Sequence, residues 1–253
     1  ASHVVARLNP DGSVDPTFHA PLAGSWWPLV ETIALQPGGK ILIGGLIVQV
    51  AGERYHGLAR LNPDGSLDTS FQPLPIDVYD DPGYGVEHIC VLPDGKILIA
   101  GGFQWDSGGF ASVARLNPDG AVDTTFTPQI PEPREVLAFA RATDGAMLLS
   151  EPGWNGDGWG RLLRLQADGS LDSGFHPAIQ GEIRALAVQP DGKILVSTNA
   201  MFAGGVVRLH PDGSLDPSWQ TDFGPNTPYP SLRTILLQPD GQALIIGAFT
   251  SVN

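Results

Sequence analysis

Five arginines and five aspartates recur in this chain at one fixed spacing. Arg7, Arg60, Arg115, Arg164 and Arg208 each precede an aspartate by eight residues, at Asp15, Asp68, Asp123, Asp172 and Asp216. A turn-forming Pro-Asp-Gly or Ala-Asp-Gly lies between the members of each pair. Each pair therefore falls on neighbouring strands of one hairpin, where facing opposite charges stabilise the ladder and set its register. Five copies read as structure, because an active site needs an asymmetric set of groups.

Asymmetric candidates exist elsewhere. Hydrolysis or elimination on a glycan needs two or three converging carboxylates. Glu31 and Glu87, with Asp81 or Glu135 nearby, are the residues to supply them, and His88 is the candidate general base. Arg184 and Arg233 occupy the repeat position held by Glu31 and Glu87 in other units. They are placed to bind an anionic group or to pair with those two glutamates. The turn Asn9-Pro10-Asp11-Gly12 with Asp15 offers two carboxylates and one amide oxygen, whereas calcium takes six to eight oxygens, so no metal site is assigned. There is no nucleophile elbow, phosphate loop or His-x-x-x-His pair, and no cofactor is implied. Cys90, the single cysteine, sits in an apolar strand and reads as a small core residue.

Composition limits the scaffold that holds these groups. Among 253 residues, 42% are hydrophobic and 16% charged, which excludes a disordered chain despite 32 Gly and 23 Pro. Gly and Pro must then punctuate many short elements. The formal net charge is −13 with no cluster of Lys or Arg, so a nucleic-acid partner is not expected. No 18-residue apolar run is present, and no membrane insertion is expected. The opening Ala1-Ser2-His3 and low lysine content read as a processed exported protein or a piece excised from a longer chain. The expected location is secreted, periplasmic or cell-surface.

The punctuation is periodic. Arg-Leu-Asn-Pro-Asp-Gly-Ser-Leu-Asp-x-x-Phe occurs five times, from Arg7, Arg60, Arg115, Arg164 and Arg208, with Trp219 replacing the last Phe. Leu-x-Pro-Asp-Gly-Lys-Ile-Leu-Ile also occurs five times, centred on Gly38, Asp94, Asp144, Asp191 and Asp240. Spacings of 44 to 56 residues, with four short strands per unit, predict propeller blades. The fold expected is all-β: a single five-bladed β-propeller domain over 1–253, with four antiparallel strands per blade. Four blades span about 30–72, 86–127, 135–176 and 182–220. The fifth is built from 232–253 plus 1–20, closing the ring and satisfying strand edges.

These two alternating motifs resemble the delta-60 repeat, a bacterial β-propeller-type repeat. The resemblance runs through nearly the whole chain and departs most at Thr143-Asp144-Gly145-Ala146 and Gln166-Ala167-Asp168-Gly169. It implies a propeller found in large exported or surface proteins, and no catalytic residues.

Topology then sorts the loops. The short Pro-Asp-Gly turns share one face, and the long irregular connections share the other. That second face carries Trp26, Trp27, Tyr55, Tyr79, Tyr84, Trp105, Asp106, Trp154, Asn155, Asp157, Trp159 and Tyr229. Aromatics beside carboxylates and amides suit a sugar ring or a protein partner. The alternative is that they fold back as lids over blade ends. The function expected is a non-catalytic, lectin-like module taking a glycan or protein ligand. The alternatives are a carbohydrate-active hydrolase or lyase, or a structural module of a larger surface protein.

Overall fold

Short apolar runs bounded by Asp-Gly turns dictate short antiparallel strands, and the structure, a computed structural model, is built from them. It describes residues 5–23, 29–46, 49–50, 53–54, 57–73, 76–77, 85–105, 109–131, 134–153, 160–179, 181–198, 205–221 and 231–248. Among the described residues there is no α-helix, and one 3-10 turn lies at Pro37–Gly39. The chain forms two compact units, Ala1–Phe126 with Glu132–Glu135 and Thr127–Pro131 with Val136–Asn253.

The first unit holds β1 (Leu22–Ala23), β2 (Leu29–Leu35), β3 (Ile41–Leu46), β4 (Gln49–Val50), β5 (Glu53–Arg54), β6 (Leu58–Leu61), β7 (Ile76–Asp77), β8 (Gly85–Val91), β9 (Ile97–Trp105) and β10 (Phe110–Leu116). Two sheets carry the repeat, β2-β3-β6 and β8-β9-β10, with β7 added at the far end of β9. A small third sheet is β1-β4-β5. The second unit holds β11 (Ala138–Arg141), β12 (Met147–Glu151), β13 (Arg161–Leu165), β14 (Leu186–Val188), β15 (Ile194–Thr198), β16 (Gly205–Leu209), β17 (Leu215–Gln220), β18 (Ser231–Leu237) and β19 (Ala243–Ala248). Its sheets are β11-β12-β13, β14-β15-β16-β17 and β18-β19.

One register recurs. Ile41 faces Leu61, Ile97 faces Leu116, Met147 faces Leu165 and Ile194 faces Leu209. The next residue of each second strand is Leu42, Leu98, Leu148 or Leu195, and none is more than 2% exposed. In the first unit Leu42, Phe71, Val86, Ile99 and Leu116 pack into one cluster across its two main sheets. In the second unit Leu148, Phe175, Ile194 and Leu209 form the counterpart. The repeated Phe is the anchor in both.

The fourth strand departs from expectation. Only Leu215–Gln220 runs as a full fourth strand among the described residues. Elsewhere it shrinks to one bridge, Leu8↔Val14, Leu61↔Leu67, Leu116↔Val122 or Leu165↔Leu171. The repeated aspartate folds the chain locally at this point. Oδ1 of Asp15, Asp68 and Asp123 accepts the backbone N–H and the hydroxyl of Thr17, Ser70 and Thr125. This side-chain turn pulls the backbone out of the ladder. At Asp216 the same turn forms with Ser218, but pairing resumes at Gln220 opposite Val207.

After the anchor the chain crosses to the next repeat. Backbone N–H groups of His19, Gln72, Thr127 and His176 donate to the carbonyls of Asp64, Asp119, Asp168 and Asp212 at 2.8–3.1 Å. The approach is so close that the turn glycine has no room for a side chain. A Cβ on Gly120 would stand 2.9 Å from Pro73 N and 3.0 Å from the Gln72 carbonyl carbon, at a φ of +98°. Gly12 has a similar φ, +86°, with nothing within 4 Å. Gly12→Ala should therefore cost only the left-handed backbone strain. Gly120→Ala should cost roughly 1–3 kcal/mol more from overpacking, read by urea denaturation. Equal losses would mean that the close approach carries no weight.

Candidate functional site

The charged repeat forms a closed structural box. Nε of Arg7, Arg60, Arg115 and Arg208 donates to Oδ2 of Asp15, Asp68, Asp123 and Asp216 at 2.7–2.9 Å. In the third repeat Arg164 reaches Asp172 through a terminal nitrogen. The guanidinium carbons of the first four lie 4.6–5.6 Å from the ring centroids of Phe18, Phe71, Phe126 and Trp219, within cation–π range. Arg7 and Arg60 also donate to the carbonyls of Pro63 and Pro118 in the following repeat, at 2.5 and 2.6 Å. Sequence reasoning missed one member. Lys40, Lys96 and Lys193 place Nζ 2.8, 2.7 and 3.1 Å from Asp68, Asp123 and Asp216. The signal was the lysine standing two residues after the turn centres Gly38, Asp94 and Asp191. Ala146 stands there in the third repeat, and Arg164 pairs additionally with Asp144. These contacts commit the repeated charges to folding.

The asymmetric residues come from a second feature, a β-bulge near the start of the first strand of a repeat. Pairing of β2 with β3 skips between Val30 and Thr32, that of β8 with β9 between Val86 and His88, and that of β18 with β19 between Leu232 and Thr234. The skipped residues are Glu31, Glu87 and Arg233. A bulge re-aims the extra side chain out of the ladder. Periodicity shows no such shift, so the sequence located these positions without their cause.

In the first unit the bulged glutamates are drawn together. A Cβ on Gly44 would lie 2.7 Å from both Thr32 Cγ2 and the Val86 carbonyl oxygen, so that glycine lets the first sheet close on β8. A third acid joins them. The Arg134 N–H donates to Oγ of buried Ser112 at 2.7 Å, which ties the segment carrying Glu135 to β10. Burial and then repulsion from Glu135 raise the Glu31 carboxyl above its ordinary value. Glu87, half-buried, is pushed up to about 8 by burial first, then by Glu135 and Glu31. At neutral pH Glu87 thus keeps its proton. A neutral carboxyl of this kind both donates and accepts hydrogen bonds. His88 follows on β8, half-buried and opposite Ala100.

Arg184 and Arg233 are exposed in the second unit, and Arg184 pairs with Glu182 two residues before it. Glu151 is fully buried at the end of β12 and paired with Arg161. That arginine also donates to the Pro131 carbonyl at 3.0 Å. Trp105 closes β9, its backbone opposite Ile76. Trp26, Trp27, Tyr55, Tyr79, Tyr84, Asp106, Trp154, Asn155, Asp157, Trp159 and Tyr229 lie outside the described residues. Among the described residues no three His, Cys, Asp or Glu side chains are grouped to hold a metal ion.

Antiparallel sheets that repeat one register and hand the chain from each repeat to the next are blades of the β-propeller type. The chain belongs to the family described as domain of unknown function (DUF5122) beta-propeller, whose pattern matches residues 3–18, 36–71, 92–126, 155–175 and 189–218. No curated protein matches it. Among solved structures it is similar to a gluconolactonase from Xanthomonas campestris, at 16% identity and a TM-score of 0.53, covering 97% of this chain and 77% of that one. It is similar to the extracellular domain of a protein described as a hybrid two-component system from B. thetaiotaomicron, at 14% identity and a TM-score of 0.56, covering 92% and 29%. Virginiamycin B lyase from Staphylococcus aureus matches at 16% identity and a TM-score of 0.52, covering 85% and 61%. The chain spans less than two thirds of the last two. At these identities the likeness shows the fold alone.

Proposed function

We propose that the chain is a closed five-bladed propeller of the delta-60 type that serves as a non-catalytic binding module. Its ligand is a glycan, taken on the variable-loop face beside Glu31, Glu87 and Glu135. The observation that carries this reading is the grouping of the bulged Glu31 and Glu87 with Glu135, which together with burial pushes the Glu87 carboxyl up to about 8. Such a group matches the paired donors and acceptors of sugar hydroxyls, and the loop tryptophans offer faces for the apolar side of the ring. A secreted, periplasmic or cell-surface setting fits this role, supported by the likeness to an extracellular domain. No helix among the described residues is long and apolar enough to cross a membrane.

The same carboxyl favours a second reading, a carbohydrate-active hydrolase or lyase. A protonated Glu87 would act as general acid, with Glu31 as the partner carboxyl. The likeness to a gluconolactonase and to a lyase points the same way.

One experiment separates the two. A glycan array with the wild-type chain should return a binder. Trp105→Ala and Trp154→Ala should each weaken that binder about tenfold or more, without change in thermal stability. Glu87→Gln, which keeps a neutral hydrogen-bonding group, should retain binding. Turnover of the glycan that is lost in Glu87→Gln would establish the enzyme instead. A blank array with no turnover would leave the structural-module reading.

A further inference from the structure

Nine Asp-Gly bonds fall within the described residues, each in a turn of the repeat. This dipeptide carries its own chemistry. The glycine amide nitrogen attacks the aspartate Cγ, a carbon–nitrogen bond forms, and a carboxyl oxygen leaves as water with the amide proton. Water then opens the succinimide at the former backbone carbonyl, and the chain now runs through the side chain as isoaspartate. Mass is unchanged, and the main chain is one methylene longer. The departing oxygen must be protonated, and Cγ must swing onto the glycine nitrogen. A carboxylate that is held as an anion and held in place is therefore protected.

All nine carboxylates accept the backbone N–H two residues on, at 2.9–3.1 Å. Six have a further hold. Hydroxyls of Ser13, Ser66, Ser170 and Ser214 donate at 2.6–2.7 Å to the same oxygen of Asp11, Asp64, Asp168 and Asp212. These bonds keep the carboxyls of Asp11, Asp64 and Asp212 below their ordinary value. Arg164 pairs with Asp144. At Asp119 the carbonyl whose carbon would enter the ring accepts the Gln72 N–H at 3.0 Å, and the crossing chain lies against Gly120.

Asp94, Asp191 and Asp240 have none of these holds. Lys96, Lys193 and Gln242 stand where the serine stands elsewhere. The three aspartates are exposed, and among the described residues each carboxylate accepts only its backbone N–H, at 3.1, 3.1 and 3.0 Å. A Cβ on Gly95 or Gly192 would meet only a proline ring carbon at 3.4 Å, and one on Gly241 would meet nothing within 4 Å.

We propose that Asp94, Asp191 and Asp240 are the modification sites of this chain, where it converts to isoaspartate, and that the serine hydroxyls guard the equivalent bonds. Two of these turns seat Lys96 and Lys193, whose Nζ atoms reach Asp123 and Asp216 at 2.7 and 3.1 Å. A main chain lengthened there moves the lysine off its aspartate and loosens the charged box with no change in formal charge.

Peptide mapping of the intact chain, aged for weeks at neutral pH, reads each site. Isoaspartyl peptides separate at unchanged mass, and electron-transfer fragmentation marks the rearranged bond. Asp94, Asp191 and Asp240 should accumulate isoaspartate about tenfold faster than Asp64, Asp168 and Asp212. Asp11 and Asp240 are a matched pair, since both glycines are open and only Asp11 has a hydroxyl. Ser13→Ala should raise the Asp11 rate about tenfold, and Gln242→Ser should lower the Asp240 rate by as much. In urea all nine bonds should convert at similar rates. A flat ranking in the folded chain, the same ranking in urea, or rates unmoved by the two substitutions would overturn the proposal. So would no isoaspartate at the three sites in the time the urea sample forms it.

Discussion

Asp68→Ala should destabilise the protein by about 3–5 kcal/mol at neutral pH, the cost of breaking a buried ion pair from one side. Asp68 is 6% exposed and Arg60 9% exposed. The aspartate accepts from Arg60 Nε, from Lys40 Nζ at 2.8 Å, and from the Ser70 backbone and hydroxyl. Its removal strands a guanidinium over Phe71 and an ammonium together. Burial alone would raise the Asp68 carboxyl, but hydrogen bonds from Lys40, Ser70 and Arg60 hold it well below the usual carboxylate range. A lowered folded-state pKa stabilises above the unfolded value of about 4, and that stability is lost as pH falls through the folded one. The gap between wild type and variant should therefore persist down to about pH 4 and close below it. Urea denaturation at both ends of that range measures it. A loss under about 1 kcal/mol would put the box among ordinary surface ion pairs.

Glu87→Gln is expected to act in the opposite direction and at the opposite end of the pH scale. A carboxyl whose pKa is raised to about 8 in the fold penalises the folded state as it ionises. The penalty is absent below the ordinary carboxylate value near 4.5 and complete above about 8. Glutamine cannot ionise. At pH 9 the variant should gain on the order of 2 kcal/mol after allowance for solvent access, about 4–8 °C in Tm for a chain of this size. At pH 4 the two proteins should melt together. A gain that does not grow with pH would come from packing and not from the proton.

The arginines, aspartates and phenylalanines of the repeat were legible in the sequence because the fold uses them locally, within one hairpin and at a constant spacing. Lys40 and its counterparts were visible as a motif but not as partners of Asp68, because their contact crosses from the second strand to the fourth. The shortened fourth strand was hidden for a related reason. Its apolar pattern continues, and only the hydrogen bonds of Asp68 to Ser70 reveal that the chain has left the ladder. Glu31 and Glu87 were singled out by their shared repeat position, while the bulges that aim them leave no trace in periodicity. Glu135 comes to them through a backbone contact from Arg134 to Ser112, 22 residues apart in sequence.

The central claim is that burial and the neighbouring Glu135 and Glu31 raise the Glu87 carboxyl so that it is neutral at pH 7. A carbon-13 NMR titration of the glutamate side-chain carboxyls tests it most directly, assigned through Glu87→Gln and repeated in Glu135→Gln. The account predicts a Glu87 midpoint near 8 in the wild type, and a lower midpoint when the Glu135 charge is removed. A wild-type Glu87 that titrates near 4.5, unchanged in Glu135→Gln, would contradict it.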